Sequence, residues 1–260
     1  QADSQKATLF VRRLPITLGV TFHPQLADYS MLANSRVIVA LDFDSASEAM
    51  QLVACLGTAA THYKVGLQLL TSEGPAIVKA LVSQGKHVFL DLKLHEIPIS
   101  VAGAVEAAGK LGATMVTVHA SGGSAILKAA VAAAKPFPEL KVLALTVITS
   151  LRDQDLRDIG VQDTVPMQVA RLARLAMDAG CHGVIASPEE AALLKEILPS
   201  DALIVTPGIH LSGHIQKDQV RTASPEAAIR LGATHVVIGR PITRAQNPVE
   251  AFASAYAQVR

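Results

Sequence analysis

From residue 36 to its end, the chain repeats one alternation eight times: a short apolar run, then a stretch with helical spacing. The runs are RVIVALDF, HYKVG, HVFLDLK, ATMVTVHASGG, KVLALTVITS, GVIAS, ALIVTPGI and HVVIGRPI. They are largely continuous aliphatic and β-branched runs, the pattern of parallel strands buried on both faces. Between the first two, SASEAMQLVACLG reads as a helix with Ser45 as N-cap and Gly57 as C-cap. A helical stretch to Gly85 follows the second run, and others cover about 100–111, 124–134, 166–179, 188–198, 225–231 and 248–259. Eight β/α units predict an α/β fold of the (β/α)8 TIM-barrel type, a single domain over residues 36–260, rather than an open doubly wound sheet. Half of all residues are hydrophobic, only 3% are aromatic and none is Trp, which suits close-packed helices around such strands.

In a barrel of this kind the chemistry collects at the carboxyl ends of the strands. Those ends carry Asp42, Lys64, Asp91 with Lys93, His119, Thr149, Ser187, Pro207 with Gly208, and Gly239 with Arg240. The third run continues as HVFLDLKLHEIPIS and is the most highly charged. A strand's period of two points Asp91 and Lys93 the same way. Glu96 and Pro98 then end the strand, because proline cannot donate to a ladder. Alone, this pair reads equally well as a structural ion pair capping a strand. With Asp42 and Lys64 from the two preceding strands it becomes four charges alternating in sign around one rim, where opposite neighbours favour each other's charged form.

The last two strands supply a different chemistry. A glycine turn in TPGI and the Gly239–Arg240 step in IGRPI lie where such barrels frequently bind phosphate. An arginine fork beside backbone N–H groups suits a phosphate dianion. The loop HLSGHIQKDQ between them is long enough to close over a ligand and offers Gln219 as a donor. A substrate carrying a phosphomonoester is therefore expected. His210 and His214 stand four apart, but Ser212 and Gly213 argue against a helix that would align them, so no metal is expected. His95 and His119 read as structural.

Lys and Arg exceed Asp and Glu by 23 − 22 = +1, so no overall field draws the chain to nucleic acid or to a membrane surface. Cys55 and Cys181 form neither a metal-like spacing nor a disulfide framework, and a reducing cytoplasm is the expected setting. No apolar run approaches the length of a membrane span. Residues 1–35 fall outside the repeat. Their basic, apolar FVRRLPITLGVTF lacks a signal peptide's order of parts, so they read as an extension, a leader or an artificial addition, with Met31 a candidate domain start.

The segments ALDF, YKVG, FLDLKLHEIP, VHASGG, the Thr and Ser of VITS, VTPGI, the DQ pair and VIGRPI, in that order and spacing, resemble the orotidine 5′-monophosphate decarboxylase family. The resemblance runs from about Val37 to the C-terminus. Other members of the wider barrel group, such as ketogulonate-phosphate decarboxylase and hexulose-phosphate synthase, share D-x-K but usually lack HxIP and the DQ loop. The resemblance implies cofactor-independent conversion of a nucleotide substrate to uridine 5′-monophosphate and CO2, with no metal or organic cofactor. It also implies a homodimer with shared active sites. By analogy Asp42 holds the ribose, and Lys64, Asp91, Lys93 and Glu96 form the charged array with Lys93 as proton donor. Thr149 meets the base, and Gln219, Gly239 and Arg240, with the Pro207 turn, meet the phosphate. The segment from Glu96 through Ile97 to Ser100 reaches into the partner's site.

Two positions depart from that pattern. Glu96 stands where the family motif D-x-K-x-x-D ends in Asp, within I-P-I-S instead of I-P-N-T. The extra methylene could displace the array by about an ångström, a change that can cost on the order of a hundredfold in rate. His210 stands where an Arg is expected after TPGI, so phosphate affinity would lean on Arg240 and vary with pH. Two alternatives remain open: a Mg-dependent sugar-phosphate decarboxylase or aldolase of the same barrel, and a catalytically silent barrel that binds phosphometabolites.

Overall fold

A computed structural model describes residues 36–211 and 222–260. The expected extension over residues 1–35 lies outside the described residues. Eight strands, β1 Val37–Ala40, β2 His62–Gly66, β3 His87–Leu94, β4 Met115–His119, β5 Lys141–Leu145, β6 Gly183–Ile185, β7 Leu203–Thr206 and β8 His235–Ile238, close in sequence order into one barrel. Every neighbouring pair is parallel, including β1 with β8. Closure leaves no strand edge open, and the expected (β/α)8 fold is the one found.

The connecting helices are α1 Ala46–Leu56, α2 Leu67–Glu73, α3 Ala76–Ser83, α4 Pro98–Lys110, α5 Ser124–Ala134, α6 Asp153–Asp158, α7 Val165–Asp178, α8 Ala191–Ile197, α9 Pro225–Leu231, α10 Arg240–Thr243 and α11 Pro248–Ala257. Ser45 caps α1 by accepting from the Glu48 N–H, and Gly57 ends it with positive φ, both as expected. Proline in the first turns of α4, α7, α9 and α11 fits a position where no intrahelical donor is needed.

Several elements differ from expectation, the short α10 among them. The stretch to Gly85 is two helices, α2 and α3. The polar LRDQDLRDIG contains α6, whose Asp155 carboxylate accepts from the Arg152 N–H at its start, while Leu156 is buried. Strand β5 stops at Leu145, and the N–H and hydroxyl of the next residue, Thr146, both donate to the Ile185 carbonyl. Thr149 therefore sits on a loop beyond the strand.

Two apolar layers hold the barrel. Side chains between strands and helices form the larger. The smaller fills the interior and includes Ile38 and Ala40 of β1, Phe89 of β3, Met115 of β4, Leu143 and Leu145 of β5, Ile185 of β6, Val205 of β7 and Val237 of β8. These are alternate residues of their strands, so the interior parity is fixed, and two residues onward or backward lie the barrel's two mouths.

Backward, at the amino ends, stand His62, His87 and His235. His62 stacks on His87 with centroids 4.4 Å apart, and Thr61 and Thr234 hydroxyls hold Nδ1 of His62 and His235. Burial, then His87 and His235, push His62 down to about 3. Burial, then Arg36, push His235 down to about 4. Both rings are neutral in the folded chain, whereas the unfolded chain binds protons below the ordinary value of 6.5. Their contribution is thus full above pH 6.5 and is lost as pH falls toward 3–4. Each should cost about 2 kcal/mol of stability by pH 5. Thermal unfolding followed from pH 7.5 to 5 should show this loss, and replacing both rings with Gln should flatten it.

Candidate active site

The same interior parity, run forward, delivers polar groups to the carboxyl mouth. Two residues beyond Ala40 is Asp42, beyond His62 is Lys64, beyond Phe89 is Asp91 and beyond Met115 is Thr117. Sequence alternation alone therefore aims these side chains inward near the carboxyl mouth of the barrel.

They meet there as a chain of alternating charge. Lys64 Nζ lies 3.0 Å from Asp42 Oδ1 and 3.7 Å from Asp91 Oδ2, and Lys93 Nζ lies 2.9 Å from that same Asp91 Oδ2. One carboxylate oxygen thus faces two ammonium groups. The side chains of Lys64 and Asp91 are only 11% and 13% exposed, while those of Lys93 and Asp42 are 34% and 51% exposed. A desolvated central pair is flanked by two members that a ligand can reach. Gly66 makes room for it, since a Cβ there would come within 2.9 Å of Lys64 Nζ and 3.3 Å of Asp42 Oδ1.

Lys93 does not reach this position by regular strand geometry. Its φ is +50°, the single positive value among the described non-glycine residues, and the β3–β4 register shifts between Leu90 and Leu94. Such a conformation costs roughly 1–3 kcal/mol and persists only where surroundings enforce it. Thr117 on β4, fully buried, supplies the contacts. Its hydroxyl accepts from the Lys93 N–H at 2.8 Å and donates to Asp91 Oδ1 at 3.0 Å. Sequence reading did not single out Thr117, although its interior parity at a strand end was a usable signal.

The four charges form one wall of a cavity of about 390 Å³ at the carboxyl mouth. Ile148 and Thr149 line it from the loop after β5. Pro207 and Gly208 reach it after β7, and Gly239 and Arg240 after β8. Gly208 has φ +80°, which explains the glycine in TPGI. Arg240 opens α10, and Arg244 lines the cavity one helical turn later, a second cation that went unnoticed because α10 itself was not expected. The cavity wall thus joins an alternating ionic array carried from β1 to β3 to two arginines that follow β8.

Other predicted residues lie elsewhere. Glu96 does not join the array: among the described residues no ion pair links it to Lys93, and its Oε1 accepts from the adjacent Ile97 N–H at 2.9 Å. The turn from β3 into the Pro98 start of α4 directs the segment outward, so Ile97, Ile99 and Ser100 are exposed. Within one chain, then, Lys93 is not held between Asp91 and Glu96. His210 is absent from the cavity wall, and its N–H donates to the Ala223 carbonyl. Gln219 and His214 lie outside the described residues. Ser187 is buried and hydrogen-bonds to the buried Glu190 carboxylate rather than facing the cavity.

His119 stacks on His95 with centroids 5.2 Å apart and is hydrogen-bonded to Ser121. Burial first, then His95 and Lys93, lower its pKa. No group of three or more His, Cys, Asp or Glu side chains suited to a metal ion occurs among the described residues.

Comparison with known proteins bears directly on this geometry. Residues 35–255 match the model of the "Orotidine 5'-phosphate decarboxylase / HUMPS family". A curated relative from Idiomarina loihiensis, orotidine 5′-phosphate decarboxylase, is 46% identical over 223 residues, which cover 85% of this chain and 96% of the relative. One of the same name from Moorella thermoacetica is 43% identical over 236 residues, covering 88% and 94%. The crystal structure of orotidine 5′-phosphate decarboxylase from Lactobacillus acidophilus superposes with a TM-score of 0.77 at 37% identity, covering 86% of this chain and 98% of that one.

Proposed function

The chain belongs to the orotidine 5′-phosphate decarboxylase / HUMPS family, and from that membership and the cavity's charges we propose that it converts orotidine 5′-monophosphate to uridine 5′-monophosphate and CO2. The observation that carries this reading is the alternating Asp42, Lys64, Asp91, Lys93 chain in the wall of a cavity that Arg240 and Arg244 also line.

Loss of CO2 from the pyrimidine leaves an electron pair on ring carbon C6, with no neighbouring group to absorb it. The C6–carboxylate bond breaks, CO2 departs, and the Lys93 ammonium faces the developing negative charge and donates a proton to C6. Because Asp91 already fixes that ammonium, little reorganisation is needed as charge develops, which is the main source of the rate. The substrate carboxylate, set near Asp91, would be repelled and so encouraged to leave. Asp42 accepts from the ribose hydroxyls, and Thr149 meets the base. Gly239 and Arg240 hold the phosphate, with Arg244 adding a second cation. Binding energy from the phosphate is then available at the reacting carbon.

The competing sugar-phosphate reaction needs a divalent ion to hold an enediolate. Here Asp42 and Asp91 are each already engaged by an ammonium. An ultraviolet assay, a sugar-phosphate turnover assay and a binding titration together separate the three readings. Orotidylate absorbance should fall at the same rate with and without EDTA. Chelator-sensitive activity on a sugar phosphate would favour the metal-dependent reaction, and uridine 5′-monophosphate binding without turnover would favour a silent barrel.

A homodimer with shared sites is part of the same proposal, with Glu96, Ile97 and Ser100 serving the partner's cavity. Its support is the outward-facing segment beside the array, where Ile97 and Ile99 are 58% and 78% exposed. Residues 36–260 are read as the catalytic unit, acting in the cytoplasm. Among the described residues no helix is long and apolar enough to cross a membrane.

A further inference from the structure

We infer that Thr117 is the positioning residue of the charge array, the strut that locks both Asp91 and Lys93 in their working orientations. The inference rests on the decarboxylase reading for its kinetic consequence and on geometry alone for its structural one.

A threonine hydroxyl has one proton to donate and lone pairs to accept with. Here the proton goes to Asp91 Oδ1 at 3.0 Å, and a lone pair takes the Lys93 N–H at 2.8 Å. Asp91 is thereby divided: Oδ1 is committed to Thr117, leaving Oδ2 to face Lys64 at 3.7 Å and Lys93 at 2.9 Å. Rotating the carboxylate would break all three contacts. The bulge between Leu90 and Leu94 takes the Lys93 N–H out of the regular ladder, and the fully buried Thr117 hydroxyl is the partner this donor finds instead. The hydroxyl therefore holds Lys93 at φ +50° against its local preference. Threonine does this better than serine, since branching at Cβ restricts χ1.

Thr117→Val keeps the shape and removes the hydroxyl; Thr117→Ser keeps the hydroxyl and removes the methyl. Steady-state kinetics on orotidine 5′-monophosphate should give Thr117→Val a kcat lowered on the order of a hundredfold, as expected for ångström-scale misplacement. Its affinity for uridine 5′-monophosphate should change little, because Arg240 and Arg244 are untouched. Thr117→Ser should restore most of the lost kcat. A Thr117→Val enzyme within twofold of the unsubstituted kcat would overturn the inference. So would a Thr117→Ser enzyme as impaired as Thr117→Val, since the loss would then be one of packing. Should Thr117→Val fail to fold, Thr117→Ala against Thr117→Ser makes the same comparison.

A crystal structure of the hydroxyl-free variant reads the strut without reference to any reaction. The Asp91 carboxylate should be rotated away from Lys64, or Lys93 returned to negative φ. An unchanged array would overturn the inference even in an enzyme active on orotidylate. An altered array in a protein that never consumes orotidylate would instead uphold the strut and refute the decarboxylase reading.

Discussion

Replacing Lys93 with alanine is expected to abolish turnover of orotidine 5′-monophosphate, lowering kcat by about 10⁴-fold or more, while binding of uridine 5′-monophosphate stays measurable. The size follows from removing two effects at once: stabilisation of the C6 charge, roughly 10²–10³-fold, and proton donation, roughly 10²–10⁴-fold. Binding survives because Gly239, Arg240 and Arg244, which follow β8, also line the cavity, whereas Lys93 stands on β3. Absorbance kinetics and calorimetric titration read the two quantities separately, and unimpaired turnover would refute the assignment of Lys93. The same variant tests the shared site. If each cavity takes Lys93 from one subunit and Glu96 from the other, mixed Lys93→Ala and Glu96→Ala subunits form hybrids with one intact site of two. A random mixture would then recover about a quarter of the unsubstituted activity from two impaired parents, as expected for a two-fold dimer. No recovery would remove the shared site from the proposal.

Asp91→Asn should damage both stability and catalysis. The carboxylate is 13% exposed, and its Oδ2 is the counterion of two lysines. Asparagine keeps a partner for Thr117 but leaves Lys64 and Lys93 facing each other across a neutral group, with Asp42 compensating only Lys64. Removing one partner of a buried pair costs about 3–5 kcal/mol, reduced here to about 2–3 because Lys93 is 34% exposed and can turn to water. For a domain of this size that lowers Tm by roughly 5–10 °C. The freed ammonium loses its fixed position, so kcat should fall by about 10³-fold. The direction of KM then separates two sources of rate. A KM that falls with kcat would mean that Asp91 strains the bound substrate carboxylate, whereas an unchanged KM would mean that it acts by holding Lys93. A variant with unchanged Tm and kcat would show that the array is not an electrostatic unit.

Much of this site could be read in the sequence because interior parity is local. Once eight apolar runs close into a barrel, counting two residues past an interior side chain finds Asp42, Lys64 and Asp91 without coordinates. The glycine and arginine after the last two strands were equally legible, since their positions follow from the order of units. Legibility failed where geometry depends on a neighbour. A regular strand would also place Lys93 beside Asp91, and so the period of two reached the right pair for an incomplete reason: the chain gets there through a bulge and a left-handed residue. Helix α10 is four residues long and bears no amphipathic period, so Arg244 gave no signal. Within one chain the Glu96 carboxylate goes to the Ile97 N–H rather than to Lys93, and a contact made across two subunits leaves no mark on local alternation.

The sequence by itself determined the closed barrel, its order of strands and the set of charges that reaches one mouth, because apolar run length and strand alternation are properties of a few consecutive residues. Only the tertiary structure decided that a single Asp91 oxygen serves two lysines and that Thr117 holds the pair. Those facts depend on distances between strands, where a shift of one ångström separates a hydrogen bond from a gap.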